Sequence, residues 1–239
     1  MGRLFLVRHA QAAFLQQDYD KLSALGETQA RLLGEYWARQ NMVYDRVGSG
    51  PGVRHKDTAK IAGEALRSAG LGFPEPVVMK DLDEYPGNAV LDQSLPRLIE
   101  SDSAIHELHR AFQAARDAGE RWKNFQKLFE AVIGKWVHGE IVLQGVETWP
   151  DFCRRVNQGL SRFLASGRPG ERVVVFSSGG PIGVAVQRAL ALSPQSTLQV
   201  SWMARNCSYS EFLYSKDRFT LSTFNSFPHL DDASLLTYR

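Results

Sequence analysis

Leu4-Phe5-Leu6-Val7-Arg8-His9 is the stretch that decides how this chain is read. Four consecutive apolar residues without alternation are too few for a helix. They indicate a strand buried on both faces, central in a parallel sheet. The strand stops abruptly on two polar residues. A second run of the same kind, Arg172-Val173-Val174-Val175-Phe176, stops on Ser177-Ser178-Gly179-Gly180, with Pro181 expected at the first position of a following helix.

Working outward from these two strands, helical and strand patterns alternate. Ser23 is expected to cap a helix running to about Gln40, with Leu25, Leu32, Leu33, Tyr36 and Trp37 on one face. Tyr44 to Val47 reads as a short strand and leads into the breaker cluster Gly48-Ser49-Gly50-Pro51-Gly52. A helix from Arg54 to Ser68 and a strand from Pro76 to Met79 follow. From about Asn88 to Gly145 the pattern changes: Ile105, Leu108, Phe112 and Ala115, then Trp122, Phe125, Phe129, Val132, Ile133 and Trp136, recur at helical spacing. The alternation resumes with a helix from Phe152 to Ala165, and the chain closes on two strands, Tyr209 to Tyr214 and Phe219 to Phe224. The expected fold is α/β and three-layered, a mostly parallel central sheet flanked by helices. Residues 1–239 form a single domain in this reading, and residues 88–145 a helical insertion within it. Ligands of such sheets collect outside the carboxyl ends of the strands, where Arg8-His9 and Ser177 to Gly180 both fall.

Composition narrows the function classes. The 239 residues carry 28 basic and 26 acidic side chains, a formal net charge of +2, too balanced for a nucleic-acid binder. Nothing approaches the roughly 20 apolar residues of a membrane helix, and the apolar run at the amino terminus is too short for a signal peptide. The two cysteines, Cys153 and Cys207, lack metal or disulfide-framework spacing and read as small buried residues in a reducing, cytoplasmic setting. His106 and His109 do not have the His-Glu-x-x-His spacing of a zinc site and read as helix-surface histidines. His138 beside Gly139 reads as a helix-terminal histidine. No metal or cofactor is expected, and no oligomeric state is legible.

Six segments, in order, resemble one family. Leu6-Val7-Arg8-His9-Ala10-Gln11 is similar to the signature of the histidine phosphatase superfamily, with Ala10 where a glycine usually stands. Leu22 to Ala30 resembles its helix entry, with Gly26 and Gln29-Ala30 in place. Ser49, Pro51, Arg54 and Thr58-Ala59 resemble its second arginine motif, with a residue shifted around Gly50. Leu82-Asp83-Glu84 resembles the segment supplying its acid. Glu147-Thr148, with Phe152 and Arg155, resembles the entry to its penultimate helix. Asn225 and His229-Leu230 match its ending.

The resemblance implies a phosphoglycerate mutase-like fold and a phosphomonoester hydrolase. His9 would be the nucleophile, forming a phosphohistidine. Arg8 and Arg54 would clamp the phosphoryl oxygens, because a guanidinium fork matches an oxyanion. Glu84, or its neighbour Asp83, would protonate the leaving alcohol. The substrate would be a small-molecule phosphomonoester, with no nucleic acid or membrane partner, and the insertion would shape that side of the pocket.

One departure stands out: the family ends its valine-rich strand on serine-histidine-glycine, and here Ser178 occupies the histidine's place. Losing one aligned donor costs on the order of a hundred- to thousandfold in rate. Ser178 and the backbone N–H groups of Gly179 and Gly180 are therefore expected to bind phosphate, with His55 a further candidate cation. The plain alternatives are that Ser178 merely caps a helix, that His55 lies on the surface, and that His229 is structural. At the level of function, the alternative is a catalytically degenerate phosphate-binding or regulatory member. A phosphoglycerate mutase ranks last, because Ala12-Ala13-Phe14-Leu15 replaces the tryptophan-asparagine pair of mutases. Trp122, Phe125, Phe129 and Trp136 read as core of the insertion or, alternatively, as a lid.

Overall fold

The computed structural model describes residues 1–13, 20–165 and 167–238; Phe14 and Leu15 lie outside them. It resolves into two compact units, residues 1–84 with 154–239, and residues 85–153.

In the first unit, β1 (Gly2–Arg8) lies inside a six-stranded sheet of order β3-β2-β4-β1-β5-β6. It pairs in parallel with β4 (Arg172–Ser177), placing Phe5 beside Val174, Val7 beside Phe176 and Arg8 beside Ser177. β2 (Arg46–Ser49) continues the parallel set on β4, and β3 (Val77–Val78) closes that edge. The other neighbour of β1 is β5 (Tyr209–Tyr214), which runs antiparallel, and β6 (Phe219–Ser226) pairs antiparallel with β5. The sheet is therefore mixed. Only four residues separate β5 from β6, enough for a hairpin but far too few for the crossover that a parallel pair demands.

Three sequence boundaries shift for physical reasons. β2 begins two residues later than the apolar run at Tyr44. Tyr44 spends its ring on the core, 4.9 Å from Trp37 and 5.6 Å from Phe5, while the ladder with β4 starts at Arg46. α7 (Gly179–Leu190) begins ahead of Pro181, which is its third residue; the first turn of a helix has no intrahelical use for N–H groups, so proline fits there too. α8 (Pro194–Met203), capped by the Ser193 hydroxyl accepting from the Ser196 N–H, has no dominant apolar face and left no periodic trace.

α1 (Ala24–Arg39) and α2 (Val53–Ser68) cover one face of the sheet. Ser23 caps α1 as expected, accepting from the Gly26 N–H at 3.0 Å. Ala30, Leu33 and Trp37 of α1 and Ala59, Ala62 and Leu66 of α2 meet Phe5, Val7, Val47, Val174 and Phe176, all buried. α6 (Trp149–Leu164) and α7 lie on the opposite face; Phe163 approaches Gly48, and Arg188 stacks over Phe219.

The second unit is helical: α3 (Gly87–Ser101), α4 (Ser103–Gln113) and α5 (Ala118–Val137). Asp102 and Asp117 cap α4 and α5 through their carboxylates. Ile105, Leu128, Phe129, Val132, Ile133 and Trp136 are buried, and the ring chain Trp122–Phe125–Phe129 runs along α5. Trp122 and Phe125 are only half-buried. No helix among the described residues is long and apolar enough to cross a membrane.

Phe176 fills the centre of the first unit and touches Trp37 and Phe73 edge to face. Replacing it with alanine removes that packing. Phe176→Ala is expected to lower unfolding free energy by about 3–5 kcal/mol, read from urea denaturation; a loss under about 1 kcal/mol would mean the core is not closed around this ring.

Candidate active site

Because β1, β2 and β4 run parallel, their carboxyl ends open at one edge of the sheet, and the candidate residues leave from those ends. The main chain is tied there. The His9 N–H donates to the Ser177 carbonyl at 2.8 Å, the Gly50 N–H to Phe176 at 2.8 Å, and the Ser177 hydroxyl to the Leu82 carbonyl at 2.7 Å. The turn after β1 is pinned to α2 by Thr58, whose hydroxyl accepts from the Ala10 N–H at 3.0 Å and donates to the Arg54 carbonyl at 2.6 Å. Asn206 and the Cys207 N–H both donate to the His9 carbonyl.

His9 is buried, 7% exposed. Its Nδ1 lies 2.8 Å from the Ala10 carbonyl oxygen. A carbonyl only accepts, so Nδ1 carries the ring proton and a neutral ring leaves its lone pair on Nε2. Burial first, then the charges of Arg54 and Arg8 and the neighbouring His55, hold its pKa well below the ordinary value. The ring is therefore neutral at physiological pH, the form a nitrogen nucleophile requires.

The two guanidinium groups are anchored from outside the pocket. Arg8 donates through Nη1 to the Ala204 carbonyl just after α8. Arg54 donates through Nη1 to Asp20 Oδ1 at 2.5 Å, and Asp20 Oδ2 also accepts from the Val53 N–H at the start of α2. Asp20 escaped the sequence reading because an isolated aspartate in a loop carries no periodic or motif signal.

Ser178 sits at the start of α7 but does not cap it; its side chain accepts from no N–H of the helix. Its hydroxyl instead lies 2.6 Å from His55 Nε2 and accepts from Arg54 Nη2 at 3.3 Å. His55 is thus neither on the surface nor a cation. It is 0% exposed, its ring centroid is 5.5 Å from that of His9, and burial, with Arg54 and Lys56, keeps its pKa well below normal. Gly179 permits close packing: a Cβ there would stand 2.7 Å from the Ser201 carbonyl oxygen and 4.0 Å from Arg8 Nε. Glu84 Oε2 accepts from the Gly180 N–H at 3.1 Å, whereas the exposed Asp83 turns its carboxylate onto the Glu84 N–H at 2.9 Å. Glu84, not Asp83, is the carboxylate brought to the first turn of α7.

The remaining candidates are elsewhere. His229 is buried beside the Tyr36 ring, and burial lowers its pKa to about 4. His106 and His138 each place Nδ1 on a main-chain carbonyl, that of Ile99 and of Gly134. Cys207 is buried; Cys153 is only half-buried, contrary to expectation. Burial raises both thiols, Cys153 to about 12, which keeps them unreactive.

The chain matches the model of the histidine phosphatase superfamily (branch 1) over residues 4–141 and 134–226. It belongs to that superfamily. No curated protein matches it in sequence. Solved structures of similar fold include a phosphoserine phosphatase from Entamoeba histolytica in complex with phosphoserine (19% identity, 96% of this chain and 100% of that one, TM-score 0.61). An alpha-ribazole phosphatase from Shigella flexneri gives 17% identity, 94% and 96% coverage and a TM-score of 0.61. A mycobacterial glucosyl-3-phosphoglycerate phosphatase gives 22%, 94%, 98% and 0.59. At these identities they establish a shared fold for this histidine phosphatase-superfamily member.

Three neutral buried imidazoles link its stability to pH. In the unfolded chain each histidine titrates near 6.5. His9, His55 and His229 titrate lower when folded. Between the two values the unfolded chain binds more protons, so stability is complete above about pH 6.5 and is lost as pH falls below it. The slope approaches about 1.4 kcal/mol per pH unit for each such histidine. Urea denaturation at pH 7.5 and 5.5 should show the lower midpoint at 5.5; equal midpoints would mean that these rings charge freely in the fold.

Proposed function

We propose that this protein is a phosphomonoester hydrolase working through a phosphohistidine on His9. The observation that carries the reading is the 2.8 Å contact of His9 Nδ1 with the Ala10 carbonyl. It commits the ring proton to Nδ1 and leaves the lone pair on Nε2, while the charges of Arg54 and Arg8 act on the same ring.

In this mechanism Arg8 and Arg54 hold the phosphoryl oxygens of a small phosphate ester. Their charge offsets that of the equatorial oxygens as the bond to the leaving oxygen loosens. His9 Nε2 attacks phosphorus, the ester P–O bond breaks, and the Glu84 carboxylic acid gives its proton to the departing alkoxide. The phosphorylated ring gains positive character, which strengthens its Nδ1–H bond to Ala10. Water then attacks phosphorus, Glu84 takes its proton, the P–N bond breaks, and phosphate leaves. Ser178 takes the place of the family's second histidine in this reading, and the first-turn N–H of Gly179 would donate to the same anion. The phosphate esters named for related structures, phosphoserine among them, are compatible in chemical class.

We read residues 1–239 as one domain elaborated by the helical segment. The two unpaired cysteines accord with a cytoplasmic setting. A phosphate-binding member without turnover is the competing reading, and it draws on the serine at position 178.

Hydrolysis of p-nitrophenyl phosphate is the test. His9→Ala is expected to abolish turnover, and Arg54→Ala to lower kcat/KM by about 10²–10³-fold, both in folded protein. A parent that hydrolyses no aryl phosphate yet binds inorganic phosphate would be the binding-only member. Unaltered turnover in His9→Ala would refute the mechanism.

A further inference from the structure

The reading of this pocket as a phosphoryl site leaves one place unfilled. The family's second imidazole is absent at position 178, and a serine hydroxyl alone is a weaker donor. The structure holds an imidazole in reserve nearby. We propose that His55 is a positioning residue: it fixes the Ser178 hydroxyl so that its hydrogen points to the phosphoryl group on His9. The two side chains together then supply the donor that a single histidine supplies elsewhere in the family.

The position of one ring proton decides which group donates. His55 is wholly enclosed, with Nε2 at 2.6 Å from Ser178 Oγ. Among the described residues its Nδ1 has no hydrogen-bond partner. It faces glycines instead: a Cβ at Gly50 would stand 2.4 Å from Nδ1 and one at Gly52 3.1 Å, so the turn after β2 is shaped to seat this ring. A neutral imidazole has one proton. On Nδ1 it would be a buried N–H with no acceptor, rarer and costlier than a buried bare lone pair. The proton therefore resides on Nε2, and His55 donates to Ser178 Oγ.

The consequence falls on the hydroxyl. Ser178 Oγ now accepts twice, from His55 Nε2 at 2.6 Å and from Arg54 Nη2 at 3.3 Å. Both lone pairs are occupied, so its hydrogen must be given to some other acceptor. Ser178 lies beside Arg54, and His55 packs against the His9 ring. An anion held between Arg54 and His9 is the acceptor within reach. Two donors on one oxygen also polarise its O–H, which strengthens what it gives. The same packing explains why a histidine cannot simply be restored. In the serine's rotamer its Cγ would occupy the Oγ position, 2.6 Å from the His55 ring.

Three measurements decide the matter on the full-length protein. The first needs no variant: ¹⁵N spectra of histidine-labelled parent should show His55 protonated at Nε2 and bare at Nδ1. A proton on Nδ1 overturns the proposal. The second is orthovanadate affinity by calorimetry for the parent, His55→Phe, Ser178→Ala and the double variant. Each single change should weaken binding roughly 10- to 100-fold, and the double should be no weaker than the worse single, since both remove one relay. Folded His55→Phe binding vanadate within about twofold of the parent, or effects that multiply, overturns it. The third is rescue: Ser178→His combined with His55→Gly should recover most of the affinity, while Ser178→His alone should not; no recovery counts against the proposal. A parent that binds no vanadate brings down the phosphoryl-site reading itself, a result distinct from a parent that binds and a His55→Phe variant that binds equally.

Discussion

A hydrogen bond between adjacent residues, from the His9 ring to the Ala10 carbonyl, is what the proposed chemistry depends on. It fixes the tautomer, and burial together with two guanidinium charges fixes the protonation state. A charged imidazole could not attack phosphorus, and the opposite tautomer would aim an N–H at it. The surroundings preserve that bond. The Ala10 N–H is held by Thr58, and the His9 carbonyl by Asn206 and Cys207, so the turn cannot rotate the ring away without breaking contacts to α2 and to the start of β5.

The sheet does the larger-scale positioning. Three parallel strands deliver Arg8-His9, the Gly50–Gly52 turn and Ser178 to one edge, and α2 then presents Arg54 and His55 on consecutive positions. Each cation is oriented by an acceptor beyond the pocket: Ala204 for Arg8 and Asp20 for Arg54. In the proposed mechanism such preorganisation would let positive charge await the phosphoryl group without reorganising when it arrives.

Much of this was legible from residue order. The unalternated strand Leu4–Val7 announced a buried β1, the Ser23 cap and apolar spacing announced α1, and the aromatic spacing announced α5. What could not be read has physical causes. The short connection makes β5 and β6 antiparallel to each other, but nothing in the residues sets β5 beside β1 or its direction there, so the mixed sheet emerged only with the pairing. α8 lacks an apolar face. Asp20 matters through a contact 34 residues along the chain. His55 was misplaced because an imidazole after an arginine on an amphipathic helix is ordinarily solvated; its enclosure depends on two glycines that sequence spacing does not connect to it.

The most direct measurement is the site of phosphoryl capture. Parent protein reacted with phosphoramidate, digested at alkaline pH and sequenced by mass spectrometry should carry its phosphoryl group on the ring nitrogen of His9. Label on Ser178, whose oxygen sits against an imidazole much as a serine nucleophile does, or no label on protein that turns over substrate, would contradict an imidazole nucleophile at the end of β1.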